Sequence, residues 1–445
     1  MKTIVAIIDA GGRGAALVDA YAKSPKVDEI IAIPGNDLMH INTNKPVHIY
    51  PQLKTTSKEE ILKICQEFQV SLINVTQDNA VEAGVSDLLR QNGFKVVGAS
   101  HSVGRIEWDK AWSRDFMSKN FLPIPSYKVC SHQEEGIQFL RTQKDQAWFI
   151  KAAGLAEGKG VIPARNNMEA EVAIEEMAKF GTAGQTFLIE QALIGEEFSA
   201  FVVSDGNSFQ FMGAAQDHKR AFDNDEGPNT GGMGCSSPPL VIDANIQTQI
   251  DEIFEKTFEG LKKENLPYQG VLYLGGIVVT EGNLKKVYII EFNARWGDPE
   301  IECIMPGIHN DIYEIGLLIN EGKLNQTQIQ YDGRARIVVA ACSLGYPEDY
   351  SKVKGKEIVG LNKLIQEPGV RVYGSGTKVV DGRYIANGGR LFYVVAEGKD
   401  VLEAREKAYR ALEKVSIPGE NGEDLLHYRK DIGYRDVKRV TDFSS

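Results

Sequence analysis

Gln216-Asp217-His218-Lys219-Arg220, running on to Asp225 and into Gly227-Pro228-Asn229-Thr230-Gly231-Gly232-Met233-Gly234, is the stretch whose reading decides the fold. Its first half gathers cations, a histidine and a carboxylate. Its second half is a Gly/Pro/Asn/Thr run, which cannot hold a helix or a long strand. Charged side chains beside a bare backbone suit an anionic, metal-bound substrate, because backbone N–H groups and fixed cations can face it together. A solvated surface loop is the plainer reading of such a run. A second stretch argues against it. Glu291-Phe292-Asn293 closes the apolar run 287–290 and leads into Ala294-Arg295-Trp296-Gly297-Asp298-Pro299-Glu300. Alternate residues of a strand share a face, so Glu291 and Asn293 point the same way, with Arg295 beside them if the strand continues. Two hard oxygen ligands and an arginine at a strand end have the make-up of a Mg²⁺–phosphate site.

Bulk properties set the class. A chain of 445 residues is too long for one core and implies two to four domains. Hydrophobic (42%), charged (25%) and aromatic (9%) fractions are those of an ordinary globular protein. A net charge of −11 disfavours nucleic-acid binding, which needs a basic face, but leaves room for a small phosphorylated ligand in a local basic pocket. The five cysteines are scattered, without metal-ligand spacing, and read as reduced thiols. No apolar run approaches the ~20 residues of a membrane helix. With a strand-like start and no leader, the expectation is a cytoplasmic protein without membrane or nucleic-acid partners.

Along the chain, strands are expected over 3–8, 29–33, 71–76 and 95–98, and helices over 15–24, 57–68 and 81–92. That alternation predicts a parallel α/β sheet. The turn Asp9-Ala10-Gly11-Gly12-Arg13-Gly14 is not a dinucleotide fingerprint, since Asp9 stands where the first glycine belongs and an acid there repels a pyrophosphate. A helix over 110–120 follows. Then come strands over 147–151, 161–162 and 186–190 around a helix over 167–180, and a hairpin over 198–204 and 208–214. A long amphipathic helix over 242–264 precedes a second hairpin, 271–280 with 286–292, turning at Gly282-Asn283. Beyond it the sequence predicts a strand from 334, glycine turns at 374–376 and 387–389, a helix over 400–415 and a polar, frayed tail over 437–445.

Lys151-Ala152-Ala153-Gly154-Leu155-Ala156-Glu157-Gly158-Lys159-Gly160-Val161 sets two lysines across a strand–loop–strand unit. Its glycines let the loop fold over phosphates, with Lys159 as a point charge; no Gly-Lys-Ser/Thr makes it a Walker A loop. Glu190-Gln191-Ala192-Leu193 ends a strand, and Glu197 follows in an acidic turn that reads equally as a solvated edge.

The pattern QDHKR…D…GPNTGGMG followed by IEFNARWGDPE resembles the phosphoribosylamine–glycine ligase family of ATP-grasp enzymes, and the likeness covers almost the whole chain. It implies a mixed α/β ATP-grasp fold with a Rossmann-like N-terminal domain (1–104), an ATP-grasp region (105–330, its lid at about 122–194 and its metal-bearing part at about 195–330) and a β-rich C-terminal domain packed against it (331–436). By resemblance Lys110, Lys151, Gly158 and Lys159 would bind ATP phosphates. The backbone at Glu190, Ala192 or Leu193 would hold adenine, and Glu197 the ribose. Glu291 and Asn293 would hold Mg²⁺ or Mn²⁺. Arg295, Lys159, Asp217 and Lys219 would be catalytic. Gly11, Gly12, Arg13, Asp225, Pro228, Asn229, Thr230, Gly231, Gly232, Arg295, Gly388, Gly389 and Arg390 would bind glycine and phosphoribosylamine. The implied reaction joins glycine to 5-phosphoribosylamine, through a glycyl phosphate, in a monomer or weak homodimer. His218 reads as an orienting group rather than a base.

The departures cluster. The family's G-x-G-G-R-E-H-A-L stands here as Asp9-Ala10-Gly11-Gly12-Arg13-Gly14-Ala15-Ala16-Leu17. Its G-P-E/D is Thr76-Gln77-Asp78, its F-G-P is Val97-Gly98-Ala99, the phosphate-loop Asp is Ala153, and a glutamine is Glu302. The ATP and acid machinery is nearly intact, whereas the amine end has drifted. Three readings stay open: the family reaction, a related ligase with another amine, and a non-catalytic nucleotide-binding relative.

Overall fold

The computed structural model describes residues 2–156 and 160–442. Its first sheet is parallel, in the order Val47–Ile49, Glu29–Pro34, Ile4–Asp9, Leu72–Val75, Val96–Val97. Ile4–Asp9 is buried along its whole length, as a central parallel strand covered on both faces must be. The helix Gly12–Lys23 begins directly after it, three residues before the expected start, because glycines and alanines let it approach closely. The helix expected over 81–92 is two, Asp78–Glu82 and Val85–Gln91; Gly84 between them takes φ +74°, a left-handed conformation that ends the first.

A second, antiparallel sheet runs Tyr127–Cys130, Phe187–Gln191, Trp148–Ala152, Val161–Ala164 and has its own small core around Trp148, Ile150, Ile174 and Phe187. The helix behind it stops at Glu176 and continues as a tighter turn, Met177–Gly184, in which Gly181 has φ +55°.

The third sheet runs through the centre and the C-terminal part alike. Nine strands form one continuous antiparallel surface: Leu284–Asn293, Gln269–Glu281, Glu196–Asp205, Phe209–Asp217, Gly234–Ser237, Ala335–Ser343, Arg390–Gly398 and Val370–Gly374, with Leu426–His427 beside Ala335–Ser343. The short strand Gly234–Ser237 is the seam, pairing with Phe209–Asp217 on one side and Ala335–Ser343 on the other. The expectation of a frayed tail is corrected. Residues 437–442 belong to the helix Tyr434–Asp442, pinned by buried Asp436, which accepts hydrogen bonds from Ser236 Oγ (2.6 Å) and Leu240 N–H (2.9 Å). Residues 443–445 lie outside the described residues.

Candidate active site

The ends of these elements enclose a cleft of about 540 Å³, within the range of small-molecule sites. One end is apolar, walled by Met117, Pro125, Phe149, Leu193, Ile277 and Ile290. Cations follow: Lys110 opens the helix Lys110–Lys119, Lys151 lies on Trp148–Ala152, and Lys219 follows Phe209–Asp217. Beyond them come Glu291, Asn293 and Arg295, and last the mixed end of Asp78, Asp217, Asn229, Thr230, Gly231, Asp298 and Glu300.

Each charge has an identifiable setting. Glu190 is buried and turned to two cations, Arg114 (Nε–Oε1 2.6 Å, Nη2–Oε2 2.9 Å) and Lys151 (2.5 Å). Burial would raise its pKa, but Arg114 and Lys151 outweigh that and hold it at about 2. Its carboxylate is therefore a structural counter-ion, and only its backbone is left for a ligand. Arg295 is not free either: Glu107 pairs with it at 2.9 Å and Asn293 Oδ1 accepts from it at 3.0 Å. Lys219 meets Glu197 at 3.2 Å, and that carboxylate first of all raises the lysine's pKa.

The site's atoms fit a divalent cation. The Glu291 side chain has no hydrogen bond or ion pair among the described residues, although it lines a cleft full of polar groups. Burial works against its charge, yet Lys219, Lys110, Lys151 and Arg295 keep its pKa below the usual range, so it is ionised and available. Asn293 is buried; its Oδ1 accepts from Arg295 and keeps a second lone pair that an ion could use. Among the described residues no three His, Cys, Asp or Glu side chains gather for a metal. That suits an ion held by one carboxylate, one amide oxygen and ligand oxygens, the habit of Mg²⁺.

Asp217 lines the cleft, its Oδ1 without a hydrogen bond among the described residues; burial, then the nearby Glu300, raises its pKa well above the usual carboxylate value. His218 points the other way, accepting from Gly433 N–H (3.2 Å) and packing edge-on to Tyr434. Burial and the neighbouring Arg429 lower its pKa to about 3, so it is neutral and orienting.

The structure separates the expected substrate residues. Asp225, Asn229, Thr230 and Gly231 line the cleft, but Asp225 is engaged by Arg429 (2.8 Å), Arg435 and Tyr434 (2.8 Å). Gly11, Gly12, Arg13, Pro228, Gly232, Gly388, Gly389 and Arg390 are not among the lining residues. Arg13 is bound to Asp9 (2.9 Å) and the Trp296 carbonyl (2.8 Å), and Arg390 to the Gly231 and Asp298 carbonyls (2.7 and 2.9 Å), so both guanidiniums brace the wall from behind. Leu193 and Glu197 line the cleft and Ala192 does not; its N–H donates to the Ala147 carbonyl (3.0 Å). Gly158 and Lys159 lie outside the described residues, while their neighbours Ala156 and Gly160 border the cleft. Ala153 is buried, its carbonyl accepting from Lys110 N–H at 2.9 Å. Sequence reasoning missed Arg114, Glu107 and Glu300. Arg114 was findable, four residues after Lys110 on one helix and therefore on its face; Glu107 needed the fold.

A cluster of cations, an apolar wall and an available carboxylate in one cleft, with a small antiparallel sheet and a larger antiparallel sheet contributing to it, are the make-up of an ATP-grasp enzyme. Family models agree along the chain: the phosphoribosylglycinamide synthetase N domain matches residues 3–107, its ATP-grasp (A) domain 108–301 and its C domain 336–435. The phosphoribosylamine–glycine ligase of Caulobacter vibrioides is 37% identical over 98% of this chain and 99% of its own. A crystal structure of the Thermotoga maritima phosphoribosylamine–glycine ligase superposes with a TM-score of 0.81 at 30% identity, covering 97% of this chain and all of that one (100%). The biotin carboxylase domain of Hydrogenobacter thermophilus 2-oxoglutarate carboxylase, solved with MgADP, shares the fold alone (TM-score 0.70, 16% identity, 94% of this chain and 91% of that one). The chain belongs to the phosphoribosylamine–glycine ligase family.

Proposed function

We propose that the protein joins glycine to 5-phosphoribosylamine, converting ATP to ADP and phosphate by way of a glycyl phosphate. Its family membership makes it an ATP-dependent ligase of purine biosynthesis; the substrates at each position and the intermediate are our reading. The observation that carries it is the unpartnered Glu291 set among Lys110, Lys151, Lys219 and Arg295 in one cleft. A glycine carboxylate attacks the γ-phosphorus of ATP only when both negative charges are masked, and these cations stand where they would mask them. The P–O bond to ADP breaks as the acyl phosphate forms. The amine nitrogen then attacks the carbonyl carbon and phosphate leaves.

In this reading adenine lies against Phe149, Leu193 and Ile277, with Glu197 toward the ribose. Glu291 and Asn293 would hold Mg²⁺, or Mn²⁺ with the same donors; the ion supplies charge neutralisation on the phosphates. Arg295, oriented by Glu107, neutralises the transferring phosphoryl group. Lys159 would be a further phosphate contact, as the family resemblance implies. Lys219 and Asp217 orient the acid, beside Asn229, Thr230 and Gly231. Residues 1–104, 105–330 and 331–436 would be the working divisions of the chain, and the cytoplasm its compartment; no helix among the described residues is long and apolar enough to cross a membrane.

The test is ADP release with ATP, Mg²⁺ and glycine, with and without freshly generated 5-phosphoribosylamine, with product mass read in parallel. ADP formation dependent on the amine, with the mass of glycinamide ribonucleotide, is the expected result. Turnover with glycine but indifferent to this amine would overturn the amine assignment and leave the acid half standing.

A further inference from the structure

The turn after the first strand carries an anion of its own. Asp9 ends the strand Ile4–Asp9 and is fully buried. Its Oδ1 accepts from the N–H groups of Gly11 (2.6 Å) and Gly14 (3.3 Å). Its Oδ2 accepts from Arg13 Nε (2.9 Å), Thr76 Oγ1 (2.8 Å) and Gln77 Nε2 (2.9 Å). A carboxylate offers about four lone-pair sites, so these donors saturate it. Two of them, Arg13 and Thr76, are themselves only 6% and 1% exposed.

Amides at a helix start, a guanidinium, a hydroxyl and a side-chain amide are together a donor set for a phosphate or carboxylate ligand. Here a residue of the chain fills it. Space agrees: a Cβ on Gly14 would come within 2.8 Å of the Asp9 Cβ, so the small residue at 14 and the acid at 9 accommodate each other. Position agrees as well. Asp78, next to Gln77, lines the cleft, and so does Asp298, whose Oδ2 accepts from Arg13 N–H at 3.3 Å. The turn therefore sits just behind an acidic end of the cleft, where a phosphate would meet Asp78 and Asp298 before reaching it.

We infer that Asp9 is a built-in anion that closes this turn to external phosphate, and that it is a specificity-determining residue: the amine substrate binds with its phosphate turned away from the Gly11–Gly14 turn. Closure stands on the geometry alone; only its consequence for the amine rests on the ligase reading. The positively charged Arg13 is thereby a wall brace and not a substrate contact.

Amide hydrogen exchange over residues 10–18 of the full chain tests this, with ribose 5-phosphate as the probe. Wild-type exchange there should be unchanged by the probe. In Asp9→Gly, which empties the cradle, the probe should slow it about tenfold at a concentration about ten times its Kd. Asp9→Asn keeps the side-chain volume but leaves Arg13 uncompensated, and should gain smaller protection at the same amides. Protection of the wild-type turn overturns the inference, as does a folded variant with native near-UV dichroism that gains none. An unprotected wild type supports it even where a variant fails to fold. The ADP assay is read separately: loss of amine-dependent turnover with the exchange result intact sinks the ligase reading and spares the closed turn.

Discussion

Single residues carry the chemistry, and two of them make sharp tests. Glu291 is an ionised carboxylate with no protein partner among the described residues, ringed by four cations. Glu291→Ala should lower ADP formation by at least about 10²-fold whichever amine is supplied, since it removes charge stabilisation that water cannot replace in a closed site. Wild-type turnover in that variant would sink the metal assignment. Glu302 is the opposite case: fully buried, both oxygens unpartnered, its pKa raised well above the usual range by burial and then by Asp298. The folded state therefore holds its proton to higher pH than the unfolded chain does. Stability therefore falls as pH climbs from the unfolded pKa of about 4.3 toward the folded one, by up to about 1.4 kcal/mol per pH unit. Glu302→Gln, neutral at every pH, should flatten that decline; thermal unfolding of both proteins between pH 4 and 8 (a working range of roughly four units) would show it, and parallel curves would refute a neutral Glu302.

At the scale of elements, a buried charge cluster ties the four-stranded sheet to the rest of the molecule. Glu190 on Phe187–Gln191 joins Lys151 of the adjacent strand to Arg114 on the helix Lys110–Lys119, whose guanidinium also donates to the Ile289 carbonyl at 3.3 Å. Removing the shared carboxylate leaves two buried cations uncompensated. Glu190→Gln is therefore expected to cost about 3–5 kcal/mol in chemical unfolding, with a raised KM for ATP because the sheet that brings Phe149 and Lys151 to the cleft loses its anchor. A change below about 1 kcal/mol would mean that water already solvates these cations.

For the whole molecule, the seam strand Gly234–Ser237 decides whether centre and C-terminal part behave as one body. Gly234 has φ +146°, and a Cβ there would come within 2.3 Å of the Val338 carbonyl oxygen. Gly234→Ala should push the strands apart and destabilise by about 2–4 kcal/mol. Because the seam links two halves of a nine-stranded sheet, calorimetry should then resolve two transitions where the wild type gives one. A single transition at the wild-type temperature would show that the buried side chains, rather than this ladder, couple the halves.

Local periodicity and composition made the strand–helix alternation of 3–98, both long hairpins and the cleft-facing trio Glu291, Asn293 and Arg295 legible in the sequence, since alternation and turn chemistry are short-range properties. The sequence also marked Asp9 as an acid where a phosphate would not be welcome. Partners distant in the chain were beyond it. That Arg13 would donate to the Trp296 carbonyl and Arg390 to the Gly231 carbonyl, that Glu107 would hold Arg295, and that Gly234–Ser237 would fuse two sheets into one depended on contacts between residues far apart in the chain. Whether a charge is free for a ligand or consumed by the fold is set by which neighbours burial brings to it, and only the tertiary structure decides that.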